Sequence, residues 1–222
     1  MTVAELLPAL GLRVTAGPVQ LLGITDDLIP PLCQLAENGI HGEDERPFYA
    51  PWSSAPPGIL SRNTAQYFWR TRADFLPESW ALNLAVLHDG ELVGVQGITT
   101  ENYWITRTGE TGSWLGRRFQ GQGIGTAMRQ VMCAFLFDHL GAQEVTSAAF
   151  VDNPASLAVS RKVGYREGRE RRMTRGSGEM ALNRELVLDP ADFVRGEDAL
   201  SVEGLDAFRA SIGLPPGNSS TR

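Results

Sequence analysis

The sequence contains a single lysine and two cysteines, and no apolar run in it reaches the length of a membrane span. Cys33 and Cys133 lie far apart, outside any CxxC or His/Cys spacing, which favours buried, reduced thiols over a disulfide or a metal centre. No basic segment followed by an apolar core opens the chain. We therefore expect a cytoplasmic protein without a membrane partner.

The net charge is −6 and the pI is about 5.1, so composition gives no general reason to expect nucleic-acid binding. Basic residues are concentrated at Arg117, Arg118 and Arg129, and again between residues 161 and 175. That placement suits a small anionic ligand better than a polymer. The three histidines are scattered without metal-ligand spacing, and no metal is expected.

Hydrophobic periodicity and turn signals predict one mixed α/β domain over residues 19–195, between extensions at 1–18 and 196–222, the last of which ends in a frayed tail. The predicted elements are, in order, a strand at 19–24, a helix at 28–38 capped by 25–27, a helix at 61–75, a hairpin at 80–100 around Asp89-Gly90, a strand at 111–115, a helix at 124–140, a strand at 145–151, a helix at 154–164, a strand pair at 165–175 and 180–188 across Gly176-Ser177-Gly178, and a short helix after Asp189-Pro190. This order lacks the regular alternation of a doubly wound fold.

The segment 41–60 is rich in turn residues but also in aromatic ones. A loop of this length inside a compact domain is usually functional or disordered, and aromatic residues argue against disorder. Several large aromatic residues must belong to the core. We predict that the rest cover one side of a ligand cleft; the candidates are Phe48, Tyr49, Trp52, Trp69, Trp80, Tyr103 and Trp104.

A glycine-rich turn connects the predicted strand ending at Leu115 to the helix beginning at Ile124. Its sequence is Gln120-Gly121-Gln122-Gly123-Ile124-Gly125-Thr126. Glycines leave backbone N–H groups uncovered, and a helix start favours an anion. A P-loop would need a lysine after a glycine, and a dinucleotide fingerprint would need a third glycine where Thr126 stands, so both spacings fail. From the residues alone, a phosphate cradle and an ordinary helix-capping turn both remain open.

Two motifs in order resemble the GNAT acyl-coenzyme A N-acyltransferases. Gln120-x-x-Gly123-x-Gly125, after Trp114-Leu115-Gly116, resembles motif A of that family. Asn153-Pro154-Ala155-Ser156, followed by Lys162-Val163-Gly164-Tyr165, resembles motif B, written N-x-x-S and K-x-G-[FY]. The spacing between the motifs also matches. The similarity is greatest to the branch that includes ribosomal-protein N-terminal acetyltransferases, through residues 112–115 and 151–156.

The resemblance implies a mixed, mostly antiparallel central sheet flanked by helices, in which a splayed strand pair forms the coenzyme cleft. Trp114 and Leu115 would bind the pantetheine arm through their backbone, and Asn153 and Ser156 would lie against the same arm and its sulfur. The N–H groups of residues 120–126 would hold the pyrophosphate. The implied co-substrate is acetyl-CoA, or a larger acyl-CoA such as succinyl-CoA if an arginine enters the acyl pocket.

The reaction that the resemblance implies is direct attack of a primary amine on the thioester, which needs an oxyanion-stabilising N–H, a base and an acid. Glu110 is the candidate base, and a solvated strand-entry residue is the alternative of equal weight. Ser160 stands where many members carry a tyrosine acid, so Ser156, Ser160 or water would protonate the thiolate. Tyr165 is assigned to the core. The acceptor would be a protein N-terminus, a lysine or a small amine.

Two further expectations accompany this interpretation. Because Ser160 replaces the usual acid, a catalytically silent CoA-binding regulatory or scaffold domain is the alternative function. The apolar residues between Leu200 and Leu214 favour a homodimer or a higher homo-oligomer.

Overall fold

Nine strands form one continuous sheet in the computed structural model, which describes residues 1–56, 58–176 and 178–216. The strands are β1 (Arg13–Ala16), β2 (Val19–Gly23), β3 (Ser79–His88), β4 (Glu91–Glu101), β5 (Thr108–Leu115), β6 (Glu144–Phe150), β7 (Arg166–Arg175), β8 (Glu179–Leu188) and β9 (Ser201–Glu203). Their spatial order is β7-β8-β6-β5-β4-β3-β2-β1-β9. Every neighbouring pair is antiparallel except β5 and β6, which are parallel.

Helices cover both faces of this sheet. They are α1 (Val3–Leu6), α2 (Ile29–Glu37), α3 (Ile59–Ala73), α4 (Tyr103–Thr106), α5 (Ile124–Ala134), α6 (Pro154–Val163) and α7 (Leu205–Ser211). On one face, α2 and α3 bury a small core with Leu32, Phe68 and Val95. On the other face, α5 contributes Met128 and Met132 to a larger core. The mixed, mostly antiparallel sheet predicted from the sequence is confirmed.

Local sequence signals account for several element ends. Asp89 and Gly90 both have positive φ, 50° and 79°, which a two-residue hairpin turn between β3 and β4 requires. Asn153 caps α6, because its side-chain oxygen accepts the Ser156 N–H at 3.1 Å. Gly164 ends the same helix at a φ of 102°, where an added Cβ would lie 2.1 Å from the Asp192 carbonyl oxygen.

The segments predicted as extensions are part of the fold. β1 pairs with β2, and β9 pairs with β1, so residues on both sides of the 19–195 boundaries extend the sheet. Phe208 of α7 is completely buried in the main core. The predicted frayed tail covers residues 215–222, of which 217–222 lie outside the described residues, as does Ser177 in the predicted turn between β7 and β8.

One predicted helix is absent, and two others differ from the prediction in their cap or in their final turn. No helix follows Asp189-Pro190; Asp189 instead accepts a hydrogen bond from Arg166. The helix predicted from residue 28 starts at Ile29 without a side-chain cap, and the nearby Asp26 carboxylate binds Arg72. The helix that starts at Ile124 is α-helical only to Ala134 and continues as one π turn at Phe135–His139.

Both thiols are free and buried, as predicted. Within the described ranges, no helix combines the length and apolar character that crossing a bilayer requires.

Candidate active site

The sheet opens at the junction of its two parallel strands. β5 and β6 pair only from Thr108↔Glu144 to Glu110↔Thr146, although β5 continues to Leu115 and β6 to Phe150. Beyond that point they diverge, and a cleft of about 460 Å³ lies between them. Six residues of the predicted coenzyme site line it: Trp114, Leu115, Gln120, Gly125, Asn153 and Ser156. The splayed strand pair is therefore present where the motifs predict it.

The glycine-rich turn presents backbone donors at the end of this cleft. Gly121 and Gly123 have φ of 75° and 86°, and a Cβ added to either would meet no other atom within 4 Å. Among the described residues, the N–H groups of 121–125 have no hydrogen-bond acceptor. The Gln120 and Thr126 N–H groups donate instead to the carbonyl oxygens of Arg117 and Gly123. Five of the seven predicted donors are thus available to an anion.

The Gln120 side chain fixes the turn rather than facing a ligand. Its amide Nε2 donates to the Ile40 carbonyl oxygen at 2.7 Å and to the Leu115 carbonyl oxygen at 3.0 Å. The turn is therefore tied both to the end of β5 and to the loop that follows α2. The lining of the cleft does not include the other five residues of the turn, which are Gly121, Gln122, Gly123, Ile124 and Thr126.

The first turn of α6 forms the opposite wall of the cleft. Asn153 uses its side-chain oxygen as the helix cap, which leaves its amide nitrogen directed away from that bond. Ser156 is half-buried and lines the cleft. Ser160 lies one turn further on, is completely buried and donates its hydroxyl to the Ser156 carbonyl oxygen at 3.0 Å. The structure brings Ser156 to the cleft and leaves Ser160 outside it.

Glu110 lies where the two parallel strands part. It is exposed, opposite Thr99 of β4 and Thr146 of β6. Strand alternation places it on the same face of β5 as Gly112 and Trp114. It lines neither of the two large cavities. Within the described residues, no group of histidine, cysteine or acidic side chains is arranged to hold a metal ion.

A buried arginine lies at the floor of the cleft, and the sequence did not predict its setting. Arg129 of α5 is 4% exposed. Its Nε donates to Gln96 Oε1 at 3.3 Å, and its Nη1 and Nη2 donate to Ser147 Oγ and Ser113 Oγ at 3.3 and 3.0 Å. All three partners are neutral and come from three different strands. The sequence shows that Arg129 follows Met128 in an apolar helix, but it does not show that the guanidinium has only neutral hydrogen-bond partners.

The environment of Arg129 differs from that of the other arginine in the cleft. Arg175 is also buried, but it forms ion pairs with Asp152 and Glu179, each at 2.8 Å. Among the described residues, Arg129 has no carboxylate within ion-pair distance. A buried charge without a counter-charge is costly, so such sites are often completed by a ligand.

A second cavity of about 430 Å³ lies on the α2–α3 side of β5. Its floor contains Gly97 and Gly112, which are direct partners across β4 and β5, so two side chains are absent from the same point of the sheet. The two cavities share Phe48, Gly112, Ser113 and Trp114. A molecule in the second cavity therefore contacts the same stretch of β5 as one in the cleft.

The prediction that aromatic residues cover one side of a cleft holds for those in the loop at 41–60 but not for the candidates later in the chain. Phe48, Tyr49 and Trp52 line the second cavity, and the Trp52 and Trp114 ring centroids are 6.0 Å apart. The other four candidates are not part of its lining: Trp69 is exposed, Trp80 and Tyr103 are buried in the core, and Trp104 packs against the core. Tyr67 and Phe68 of α3 complete the aromatic lining.

Tyr165 is a core residue, as predicted. It is 4% exposed, and its hydroxyl lies 3.0 Å from Thr111 Oγ1 and 3.5 Å from Cys133 Sγ. Burial raises the pKa of the Tyr165 phenol well above its ordinary value of 10.0. The phenol therefore stays protonated at neutral pH.

Comparison with known proteins agrees with this geometry. The model of the acetyltransferase (GNAT) domain family matches residues 24–166, which is more than half of the chain. A Bacillus subtilis (strain 168) protein named "Putative ribosomal N-acetyltransferase YdaF" is 31% identical over 86 residues, 39% of this chain and 46% of that protein. The match thus spans about half the length of this curated relative.

Solved structures show the same fold at low sequence identity. RimL, a ribosomal L7/L12 α-N-protein acetyltransferase solved with coenzyme A, has a TM-score of 0.63 at 19% identity, over 78% of this chain and 94% of that one. Mycobacterium smegmatis RimJ, solved with a CoA disulfide, has a TM-score of 0.63 at 16% identity, over 81% and 86% of the two chains. With the family match and the splayed strands, these similarities identify the chain as a member of the GNAT acetyltransferase domain family.

Proposed function

We propose that this protein is an acetyl-CoA-dependent N-acetyltransferase that acts on a primary amine. Two observations carry the proposal: the β5–β6 cleft is lined by Gln120 and Gly125 of the turn, and the N–H groups of residues 121–125 have no acceptor among the described residues. The cleft would hold the pantetheine arm beside Trp114 and Leu115, and the turn would hold the pyrophosphate. The thioester would then lie at the stretch of β5 that both cavities share.

The reaction would proceed by direct attack, without a covalent enzyme intermediate. The amine attacks the thioester carbonyl carbon, the carbonyl oxygen becomes an oxyanion held by a backbone N–H of β5, and the C–S bond then breaks. Glu110 would take the ammonium proton directly or through water, from the face it shares with Gly112. Ser156 or water would protonate the thiolate. Ser160 is the weaker acid candidate because its hydroxyl is buried and donates within α6.

The class of acceptor is also part of the proposal. The relatives named above as ribosomal-protein acetyltransferases favour a protein N-terminus, with a lysine side chain or a small amine as the other candidates. A cytoplasmic location and self-association remain expectations from the sequence.

Calorimetry and a thiol-release assay test this function. Acetyl-CoA and free CoA should bind the full chain, and an amine panel should release thiol. Absence of binding by either at millimolar concentration would contradict the proposal. Binding without turnover on any amine would favour the silent CoA-binding domain. Glu110→Gln should reduce turnover at neutral pH, whereas Glu203→Gln, which changes an exposed glutamate on the remote strand β9, should leave it unchanged.

Arg129 favours succinyl-CoA as a second candidate donor. The guanidinium at the cleft floor has neutral partners only, and a terminal carboxylate on the acyl chain would supply the missing counter-charge. Butyryl-CoA is the matched probe, because its acyl chain has the same number of carbons without the charge.

We predict that the parent protein binds succinyl-CoA about tenfold or more tightly than butyryl-CoA, as expected for a charge-assisted hydrogen bond at a buried site. Arg129→Gln should remove this preference and leave acetyl-CoA affinity within about threefold. Equal affinities for the two donors in the parent would exclude a dicarboxylic acyl group.

A further inference from the structure

The cavity on the α2–α3 side has a lining without charge. Its sixteen lining residues include no acidic or basic side chain. Apolar and aromatic groups dominate, from Phe48, Trp52, Tyr67, Phe68, Val95, Ile98 and Trp114. A ligand that carries a charge in addition to its reacting amine would lose hydration here without gaining a counter-charge, which is unfavourable for an unpaired ion.

Two buried polar atoms in this lining have no partner among the described residues. They are Thr64 Oγ1 and Asn83 Nδ2. Thr64 is 5% exposed and belongs to α3, while Asn83 belongs to β3. The Asn83 side-chain oxygen already accepts a hydrogen bond from the Tyr67 hydroxyl at 3.3 Å. The Asn83 amide nitrogen and the Thr64 hydroxyl are thus unsatisfied polar groups of two residues that line the cavity.

A row of three residues leads from Asn83 to the acyl-transfer point. Asn83 pairs with Gly97 of β4, and Gly97 pairs with Gly112 of β5. A Cβ at Gly97 would lie 2.9 Å from Asn83 Oδ1, so the glycine makes room for the amide. A Cβ at Gly112 would meet no other atom within 4 Å. The floor of the cavity is therefore open from the Asn83 amide to the edge shared with the coenzyme cleft.

We infer that the acceptor is a primary amine on an uncharged aromatic or branched apolar body that carries a carbonyl or carboxamide group for Asn83 and Thr64. This inference rests on the proposed acetyltransferase function and narrows its acceptor. A polyamine, a free amino acid with its carboxylate, and a lysine in a basic peptide do not fit the uncharged lining. The amine nitrogen would lie over the Gly97–Gly112 pair, with the apolar body between the aromatic loop and α3.

The test compares phenylalaninamide with phenylalanine, which carries a carboxylate in place of the carboxamide and is otherwise identical. Spermidine is included as a polycation. We measure thiol release from acetyl-CoA by the full chain. The kcat/KM for phenylalaninamide should be about tenfold or more higher than for phenylalanine or spermidine, because a substrate that leaves a buried polar or charged group unpaired is strongly disfavoured. Asn83→Leu should lower the phenylalaninamide kcat/KM about tenfold, mainly through KM. Asn183→Leu, on strand β8 and outside both cavities, should leave it unchanged.

Calorimetry with acetyl-CoA distinguishes failure of the inference about the acceptor from failure of the proposed acetyltransferase function. If acetyl-CoA binds and phenylalanine or spermidine reacts as fast as phenylalaninamide, the inference about the acceptor is overturned and the acetyltransferase function stands. The inference is overturned in the same way if Asn83→Leu acts like Asn183→Leu. If acetyl-CoA does not bind, or binds without any amine reacting, the inference falls together with the proposed function.

Discussion

At the scale of single residues, the Cys133 thiol contributes a pH-dependent part of the stability. It is buried on α5 and lies 3.5 Å from the Tyr165 hydroxyl. Burial raises its pKa from the ordinary value of 9.0 to about 11. In the unfolded chain the thiol loses its proton first as the pH rises. Its contribution is therefore complete below about pH 9 and is lost as the pH approaches 11.

We predict that the free energy of unfolding falls by about 2 kcal/mol between pH 8.5 and 11 through this thiol. Urea unfolding at both pH values measures the change. Cys133→Ala should flatten the dependence, even though it lowers stability at pH 8.5 by creating a small cavity. The same slope in the parent and in Cys133→Ala would contradict the assignment.

The position of single residues could be predicted from the sequence where a motif fixes both residue type and place. Asn153 and Ser156 line the cleft because an N-cap followed by proline starts a helix at that point. The family resemblance makes Ser160 a candidate, but α6 turns its hydroxyl back to its own backbone. The neutral surrounding of Arg129 comes from Gln96, Ser113 and Ser147 on separate strands, which no local pattern brings together.

At the scale of elements, α7 contributes to the core although it lies beyond the predicted domain boundary. Phe208 is completely buried, and its ring lies 5.7 Å from Trp80 and 6.3 Å from Phe135, centroid to centroid. We predict that Phe208→Ala lowers the free energy of unfolding by about 3–5 kcal/mol, as for other buried aromatic truncations. Chemical denaturation measures the loss.

Phe193→Ala is the control for this substitution. Phe193 is only partly buried, and its ring lies 5.4 Å from that of Phe137. Its truncation should cost distinctly less than that of Phe208. An unchanged denaturation midpoint for Phe208→Ala would mean that α7 does not contribute to the stability of the core.

The elements missed by sequence analysis share a physical reason. β1 and β9 have four and three residues, too few for alternation to be recognised, and their pairing joins the two ends of the chain. The false helix after Asp189 resembled a capped start, but Asp189 and Asp192 both bind Arg166 instead. By contrast, the β3–β4 hairpin was predictable because its turn residues and its alternation agree.

At the scale of the whole molecule, one parallel junction in an otherwise antiparallel sheet creates the site. Since β5 and β6 separate after three residue pairs, the cleft that we propose for the coenzyme opens between them. The Gly97–Gly112 pair lowers the floor on the other face, where α3 and the aromatic loop enclose the second cavity. The family resemblance predicted the splayed strand pair but not that these strands are parallel. It could not predict the second cavity, since that depends on the register between β3, β4 and β5.

The central claim is that the turn at 121–125 binds the pyrophosphate of acetyl-CoA. Gly123 and Gly58 form a matched pair for testing it: both are helix N-caps, with φ of 86° and 78°, and a Cβ at either would meet no atom within 4 Å. Alanine should therefore strain both positions to a similar degree. Only Gly123 belongs to the turn.

Isothermal titration of acetyl-CoA into the parent, Gly123→Ala and Gly58→Ala is the most direct measurement. The predicted result is binding by the parent, a loss of about tenfold or more for Gly123→Ala, and parental affinity for Gly58→Ala at a similar loss of stability. No heat of binding with the parent at millimolar acetyl-CoA, or equal affinities for the two variants, would contradict the claim.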